Sequence, residues 1–129
     1  MIKQKLIFIA GKYRGKTSWD IECNIRKAET SALFLARMTG LIPVCVHSMY
    51  RFFQSELPDS FWLDATMNIL DRCDGILMVD GWEKSEGAKA EHQFATEKGI
   101  PIFLSIGALI RYYSEDQEGD KTEPFLATK

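Results

Sequence analysis

The segment GWEKSEGAKAEHQFA, residues 81–95, places a carboxylate where a helix is expected to be apolar. From Gly87 onward the segment has helical periodicity, and at about 100° per residue Glu91 falls near the middle of one helix face. The other residues of that face are apolar: Ala88, Ala90, Phe94 and Ala95. A carboxylate on a core-facing surface requires a compensating partner or a chemical role. Glu91 is therefore either paired with a basic group, such as Arg14 or a residue of a neighbouring subunit, or it is a nucleophile or base.

Residues just before this helix are further candidates. Ser85 precedes the helix start, where serine is a common N-cap and where its hydroxyl and free backbone amides, near Gly87, would also suit an anion. Asp80 ends the preceding apolar run and is a candidate for acid or hydrogen-bonding work. Trp82 either forms a wall for a base or covers the core, and His92, on the polar helix face, is expected to be solvated.

The loop GKYRGKT, residues 11–17, is a second candidate for ligand binding. Gly11 and Gly15 flank Tyr13 and Arg14, and glycines let the backbone approach a ligand closely. Arg14 is able to form a bidentate contact with a phosphate group. The spacing matches neither the GxGxxG dinucleotide fingerprint nor the GxxxxGK[ST] nucleotide loop, so a structural turn is the alternative.

Apolar runs and helical periodicities alternate along the chain. Strands are expected at 5–11, 41–47, 75–81 and 100–106, and helices at 17–40, 58–72 and 87–98, with a loop or a helical turn at 48–57. This order predicts an α/β fold, a flavodoxin-like three-layer sandwich whose parallel sheet has strand order 2-1-3-4. Ligands of such sheets bind beyond the carboxyl ends of strands 1 and 3, where both candidate loops lie. His47 ends the second strand near the same rim and either donates to a ligand or caps the strand.

Composition bounds the class of protein. The 129 residues suit one domain, expected at 1–110, followed by a polar, acidic tail at 111–129. A net charge of −2 argues against duplex nucleic acid as a partner, and no apolar run is long enough to predict a membrane span. The first apolar run is interpreted as a strand and not as a signal peptide. Three cysteines without CxxC spacing predict no metal site and no disulfide framework, but reduced, mostly buried thiols in a cytoplasmic protein. No cofactor is expected.

Three stretches carry a resemblance to a known family: IAGKYRG, NIRKAETSALFLARMTGLIPVCVH and LDRCDGILMVDGWEKSEGAKAEHQFATEKGIPI. They resemble the nucleoside 2-deoxyribosyltransferase superfamily, most closely its small branch of uncharacterised phage and bacterial domains. They are also similar to the 2′-deoxynucleoside 5′-phosphate N-hydrolases. The similarity runs from about residue 5 to 106, and its most specific part is the S-x-G-x-x-x-E motif formed by Ser85, Gly87 and Glu91.

The resemblance implies a role for each matched position. Glu91 corresponds to the nucleophile that attacks C1′ of the deoxyribose and displaces the base. Ser85 stands where the transferases of free nucleosides have an aspartate that holds the 5′-hydroxyl, and where the N-hydrolases have a serine on the 5′-phosphate; Arg14 matches the phosphate-side loop. The N-hydrolases carry an acid–base aspartate at the position of Thr66, and Asp64, two residues away, is the candidate substitute.

The expected function is therefore an N-glycosidase or deoxyribosyltransferase acting on a 2′-deoxynucleoside 5′-monophosphate, with Asp80 or Asp64 orienting sugar or base. The alternative is a non-catalytic nucleotide-binding or sensing module on the same fold, which Thr66 in place of the aspartate favours. An FMN carrier is disfavoured because the glutamate motif would have no role in it.

A homodimer, or an oligomer built from dimers, is the expected assembly, because subunits of the resembled family complete each other's sites. The expected end of regular structure at the fourth strand would also leave an apolar patch uncovered, formed by Leu109, Ile110, Tyr112 and Tyr113. The second and third predicted helices offer further apolar positions at Phe61, Met67 and Phe94.

Overall fold

The computed structural model describes the backbone of residues 4–119 and the side chains of residues 4–114. Its centre is a four-stranded parallel sheet in the order β2-β1-β3-β4, which confirms the predicted fold class and strand order. The strands are β1 (Leu6–Ala10), β2 (Ile42–Val44), β3 (Gly75–Met78) and β4 (Ile102–Phe103). The helices are α1 (Ser18–Thr39), α2 (Val46–Phe53), α3 (Asp59–Asp71), α4 (Glu86–Lys98) and α5 (Ile106–Gly119), with 3-10 turns at Gln54–Glu56 and Trp82–Lys84.

Each face of the sheet carries its own apolar cluster. Side chains alternate along a strand, so Ile7 and Ile9 join one cluster, whereas Phe8 and Ala10 join the other. The first cluster is covered by residues of α1 and α5: Ala28, Ala32, Leu35, Leu109 and Tyr113. The second is covered by residues of α2, α3 and α4: Val46, Leu70, Ala88 and Ala95. The result is the predicted three-layer sandwich.

The ends of α1 follow the sequence signals. Thr17 and Asp20 form a reciprocal capping box, in which each backbone N–H donates to the other residue's side chain at 3.1–3.2 Å. Gly40 ends the helix in the left-handed conformation at φ 74°. Gly99 ends α4 in the same way, at φ 73°.

The predicted second strand is too long. Only Ile42–Val44 pair with β1, and the chain then turns into α2, so that His47 lies in the first turn of a helix and does not end a strand. The physical reason is packing: Val46, Met49 and Tyr50 have helical spacing and contact the cluster under α3 and α4. Of the loop or helical turn expected at 48–57, the helical alternative is confirmed, and the helix begins earlier than expected, at Val46.

The expectation that regular structure ends at the fourth strand is wrong, because α5 continues to Gly119. Leu109 and Tyr113 are 0% and 5% exposed on the sheet, and Ile110 packs against the same cluster, so these residues do not form an uncovered patch. Tyr112 remains half exposed. The rest of the predicted tail, 120–129, lies outside the described residues.

The three cysteines are free thiols, as expected, but only Cys73 is buried; Cys45 is half-buried and Cys23 is exposed. Within residues 4–119, no helix is long and apolar enough to cross a membrane.

We predict that Leu109→Ala lowers the free energy of unfolding by about 2–5 kcal/mol, because it opens a cavity in a fully buried contact between α5 and the sheet. Leu104→Ala is the matched control, since that leucine is 66% exposed and its loss is expected to cost less than about 1 kcal/mol. Urea unfolding followed by circular dichroism measures both. Equal costs for the two variants would contradict the packing of α5.

Candidate active site

A cavity of about 490 Å³ opens at the carboxyl end of β1, on the sheet face covered by α2, α3 and α4. Its wall is built from the loop after β1, the inner faces of α2 and α3, and the first two turns of α4. The volume lies within the range of about 300–1,000 Å³ that is usual for small-molecule sites. The cavity wall includes residues that follow β1 and residues that follow β3, so it lies at the point where the strand order reverses. The S-x-G-x-x-x-E motif lies in the same wall.

Glu91 lines this cavity from the second turn of α4. Burial raises the pKa of its carboxyl to about 8, and no described residue forms an ion pair with it. Arg14, the intrachain partner considered from sequence, instead pairs with Asp59 at 3.3 Å. A pairing of Glu91 within the chain is thus excluded for the described residues, and the carboxyl is mainly protonated at neutral pH.

Aromatic rings form the wall of the cavity opposite α4. Tyr50 packs edge to face between Tyr13 and Trp62, with ring centroids 5.6 and 5.3 Å apart. Burial raises the pKa of Tyr50 to about 12, and the charge of Glu91 contributes in the same direction. Both positions, Tyr50 and Trp62, were missed by the sequence analysis. Helix α2, which begins within the predicted second strand, brings Tyr50 to the cavity, and nothing in the local pattern distinguished Trp62 from a core residue.

Hydrogen bonds fix these rings. The Tyr50 hydroxyl donates to the Trp62 carbonyl at 3.2 Å, and the Trp62 indole N–H donates to the Gln54 carbonyl at 2.9 Å. The Tyr13 hydroxyl donates to the Gln54 side-chain oxygen at 2.7 Å. Arg51 ties α2 to α1 through ion pairs with Glu22 and Glu29. The aromatic wall is consequently held in place before any ligand binds.

His47 supports the loop after β1. It is 3% exposed, and its Nε2 lies 3.2 Å from the carbonyl oxygens of both Gly11 and Lys12. Burial lowers the pKa of the imidazole, so the ring is neutral and its Nε2–H donates to these carbonyls. Asn24 donates to the carbonyls of Tyr13 and Arg14 and fixes the next part of the loop. Of the two roles considered for His47, capping a strand is wrong because the residue lies in a helix, whereas contact with a ligand stays a prediction, since His47 also lines the cavity.

Ser85 and the loop glycines have structural tasks. The Ser85 hydroxyl accepts the backbone N–H of Ala88 at 3.1 Å and caps α4, while both Ser85 and Gly87 line the cavity. A Cβ at Gly11 would lie 3.0 Å from Cβ of Val79. Gly15 does not line the cavity. A Cβ at this position would lie 2.5 Å from Cβ of Asp20. Gly15 is thus required by the start of α1.

Two aspartates are not brought to Glu91. Asp64 is exposed on α3 and lies outside the cavity wall. Thr66, which does line the wall, is 4% exposed, and its hydroxyl donates to the Trp62 carbonyl at 2.8 Å. Asp80 is exposed and lines a separate cavity of about 190 Å³ on the face covered by α1.

Trp82 also lies away from the cavity. Its ring stacks on His92, with centroids 4.7 Å apart and planes 8° apart, and it packs against the core cluster under α4. Of the two roles considered for Trp82, covering the core is the one observed. His92, which was expected to be solvated, is half-buried by this stacking. No group of three histidine, cysteine or acidic side chains suited to a metal occurs in the described part of the chain.

Residues 5–104 match a family model described as Domain of unknown function (DUF4406). The chain belongs to this family. Its matched segment extends from β1 to just after β4 and contains every element of the cavity wall. A comparison with curated proteins gave no match.

We predict that Glu91→Gln stabilises the protein, and more so as pH rises from 4.5 to 8. The folded state keeps the Glu91 proton in this range whereas the unfolded chain releases it, so the wild-type free energy of unfolding falls with rising pH. At pH 8 we expect a gain of about 1–3 kcal/mol, less than the full pKa shift implies because the side chain is only partly buried.

Urea unfolding at several pH values measures this difference. Glu97→Gln, at an exposed position on the same helix and outside the cavity wall, is the control. If Glu91→Gln instead has a lower free energy of unfolding than the wild type at pH 8, the Glu91 carboxylate must be stabilised by a partner.

Proposed function

We propose that this protein is an N-glycosidase or deoxyribosyltransferase that cleaves the N-glycosidic bond of a 2′-deoxynucleoside 5′-monophosphate, with Glu91 as nucleophile. The observation that carries the proposal is the Glu91 carboxyl, which faces an aromatic-lined cavity without an ion-pair partner among the described residues. A titratable group with a strongly shifted pKa in a cleft is a functional-site candidate. The resemblance of the S-x-G-x-x-x-E motif supports the same assignment.

In this reaction a Glu91 carboxylate oxygen forms a bond to C1′ while the bond from C1′ to the base nitrogen breaks. The sugar carries positive charge in an oxocarbenium-like transition state, which a nearby carboxylate stabilises. Water or a second base then releases the sugar from Glu91, and the choice between them distinguishes hydrolase from transferase. The rings of Tyr13, Tyr50 and Trp62 offer a stacking surface for the base.

The phosphate would be held where the loop after β1 meets the start of α4. Arg14 and Ser85 both line the cavity, and free amides at the first turn of α4 favour an anion. The ion pair of Arg14 with Asp59 is exposed on both sides, so it is weak and the guanidinium is free to turn to a phosphate.

A non-catalytic nucleotide-binding or sensing module is the second candidate. It is favoured by Thr66, which lines the cavity where the resembled hydrolases have an aspartate, and by the position of Asp64 outside the cavity wall. Among the residues that the structure describes, Glu91 is the one half-buried carboxyl of the cavity wall, because Asp59 and Glu86 are exposed.

We expect Glu91→Gln to abolish base release from deoxynucleoside monophosphates while the fold is retained, a loss of several orders of magnitude in rate. Chromatography of free base measures it. In the wild type, kcat/KM is expected to rise as pH increases through about 8, because only the ionised carboxylate attacks.

Two results would separate the candidates. Binding of a monophosphate without free base in the wild type would support the binding module. Base release that survives in Glu91→Gln would show that Glu91 is not the nucleophile.

Arg14→Gln should weaken the binding of a deoxynucleoside 5′-monophosphate roughly tenfold to a hundredfold, and that of the free deoxynucleoside little, because it removes a charge-assisted hydrogen bond to phosphate. Arg37→Gln, a loss of one charge in the last turn of α1, is the control. Titration calorimetry compares the two ligands. Equal losses for both ligands would mean that Arg14 does not contact the phosphate.

A homodimer remains our proposal, now through a different surface. Met67 and Phe94 pack against the core, but exposed apolar side chains occur along the end of α2, the following turn and the start of α3: Phe52, Phe53, Leu57, Phe61 and Leu63. Leu63 also lines the cavity, so a second copy seated here would close its mouth.

We predict a dimer in sedimentation at micromolar concentration and a monomer for Phe52→Asp/Phe53→Asp. Leu33→Asp, at a position on α1 that is as exposed as Phe53, is the control and should leave the dimer intact. A monomeric wild type would refute the proposal, and a monomeric control would place the interface elsewhere.

A further inference from the structure

The smaller cavity, on the face of the sheet covered by α1, is lined by three lysines: Lys12, Lys27 and Lys84. None of the three forms an ion pair with a residue that the structure describes. Asp80 is the one acidic residue of this wall, so the cavity has an excess of two positive formal charges in a chain whose net charge is −2. Like charges gathered around a concave surface raise the local positive potential and attract an anion.

The position and size of this cavity restrict what it can bind. It lies beyond the carboxyl ends of β1 and β3, where Gly11 and Val79 form its floor, and its volume of about 190 Å³ is below the usual range for a whole small-molecule ligand. Gly81, at φ 90°, turns the chain after β3, and the ammonium nitrogen of Lys27 would lie 3.7 Å from a Cβ at this glycine. The space suits one anionic group rather than a nucleoside.

We propose that this lysine-lined cavity binds a phosphate group, either free or as part of a nucleotide. The two cavities share Gly11, Lys12 and Lys84 in their walls, so a nucleotide bound in the larger cavity is able to extend a phosphate toward the smaller one. The site is distinct from the contacts assigned above to Ser85 and Arg14, neither of which lines it. It does not depend on glycosidase activity.

Lys27→Ala is the decisive variant, because Lys27 lines the smaller cavity and not the larger one. Titration calorimetry at constant ionic strength, with inorganic phosphate as the probe, should show saturable binding to the wild type and at least tenfold weaker binding to this variant. Lys98→Ala removes the same charge far along α4, outside both cavity walls, and is expected to bind like the wild type. Asp80→Asn should bind phosphate more tightly, since it removes the negative charge of the wall.

A nucleoside 5′-monophosphate in the same titrations identifies the source of the group. Weaker binding of both probes to Lys27→Ala would mean that the nucleotide's own phosphate enters this cavity in place of the contacts with Arg14 and Ser85. Weaker binding of inorganic phosphate alone would mean that free phosphate enters it. Absence of saturable phosphate binding to the wild type, or equal losses in Lys27→Ala and Lys98→Ala, would overturn the proposal. Base release is not used as a readout, so failure here leaves the proposed glycosidase untouched.

Discussion

The pairing of β1 with β3 is the constraint on which the site depends. Ala10 and Met78 are in register, and the Val79 N–H donates to the Ala10 carbonyl at 2.7 Å. This close approach continues to residue 11, where only a glycine avoids crowding Val79. The segments that follow β1 and β3 then separate toward opposite faces of the sheet, because β1 leads to α1 on one face and β3 leads to α4 on the other. That separation creates the concave space beyond the strand ends, and both cavities lie in it.

Burial of Glu91 sets a conflict between stability and chemistry. Its carboxyl is held on the cavity wall by a helix whose two ends are fixed, through the Ser85 cap and the left-handed Gly99, and no cation in the described chain relieves the desolvation. The folded protein therefore favours the protonated form, whereas attack on a sugar carbon requires the carboxylate. The hydrogen-bonded rings of Tyr50 and Trp62 lie in the wall of the same cavity, so the apolar surroundings that disfavour the carboxylate are themselves fixed.

Local signals in the sequence were enough to predict the sheet order, the helix carrying Glu91 and the glycine and serine caps, because each depends on neighbouring residues. The remainder depends on tertiary structure. The position of Tyr50 follows from α2, which packs through residues that also read as the end of a strand. α5 was missed because its acidic composition obscured the helical spacing of Leu109 and Tyr113. The separation of Asp80 from Glu91 was not predictable either, because the chain turns immediately after β3, so the alternation of side chains along the strand no longer indicates its direction.

The two cavities differ in electrostatic character although they share part of a wall. Burial raises the pKa of Glu91, and none of Lys12, Lys27 and Lys84 forms an ion pair with its carboxyl. The aromatic cavity therefore provides a weakly hydrated environment for a neutral base, and the lysine cavity provides a positive one for an anion. A ligand that combines a flat apolar ring with a phosphate matches both walls, and its phosphate has two alternative positions, beside Arg14 and Ser85 in the larger cavity or among the lysines of the smaller one.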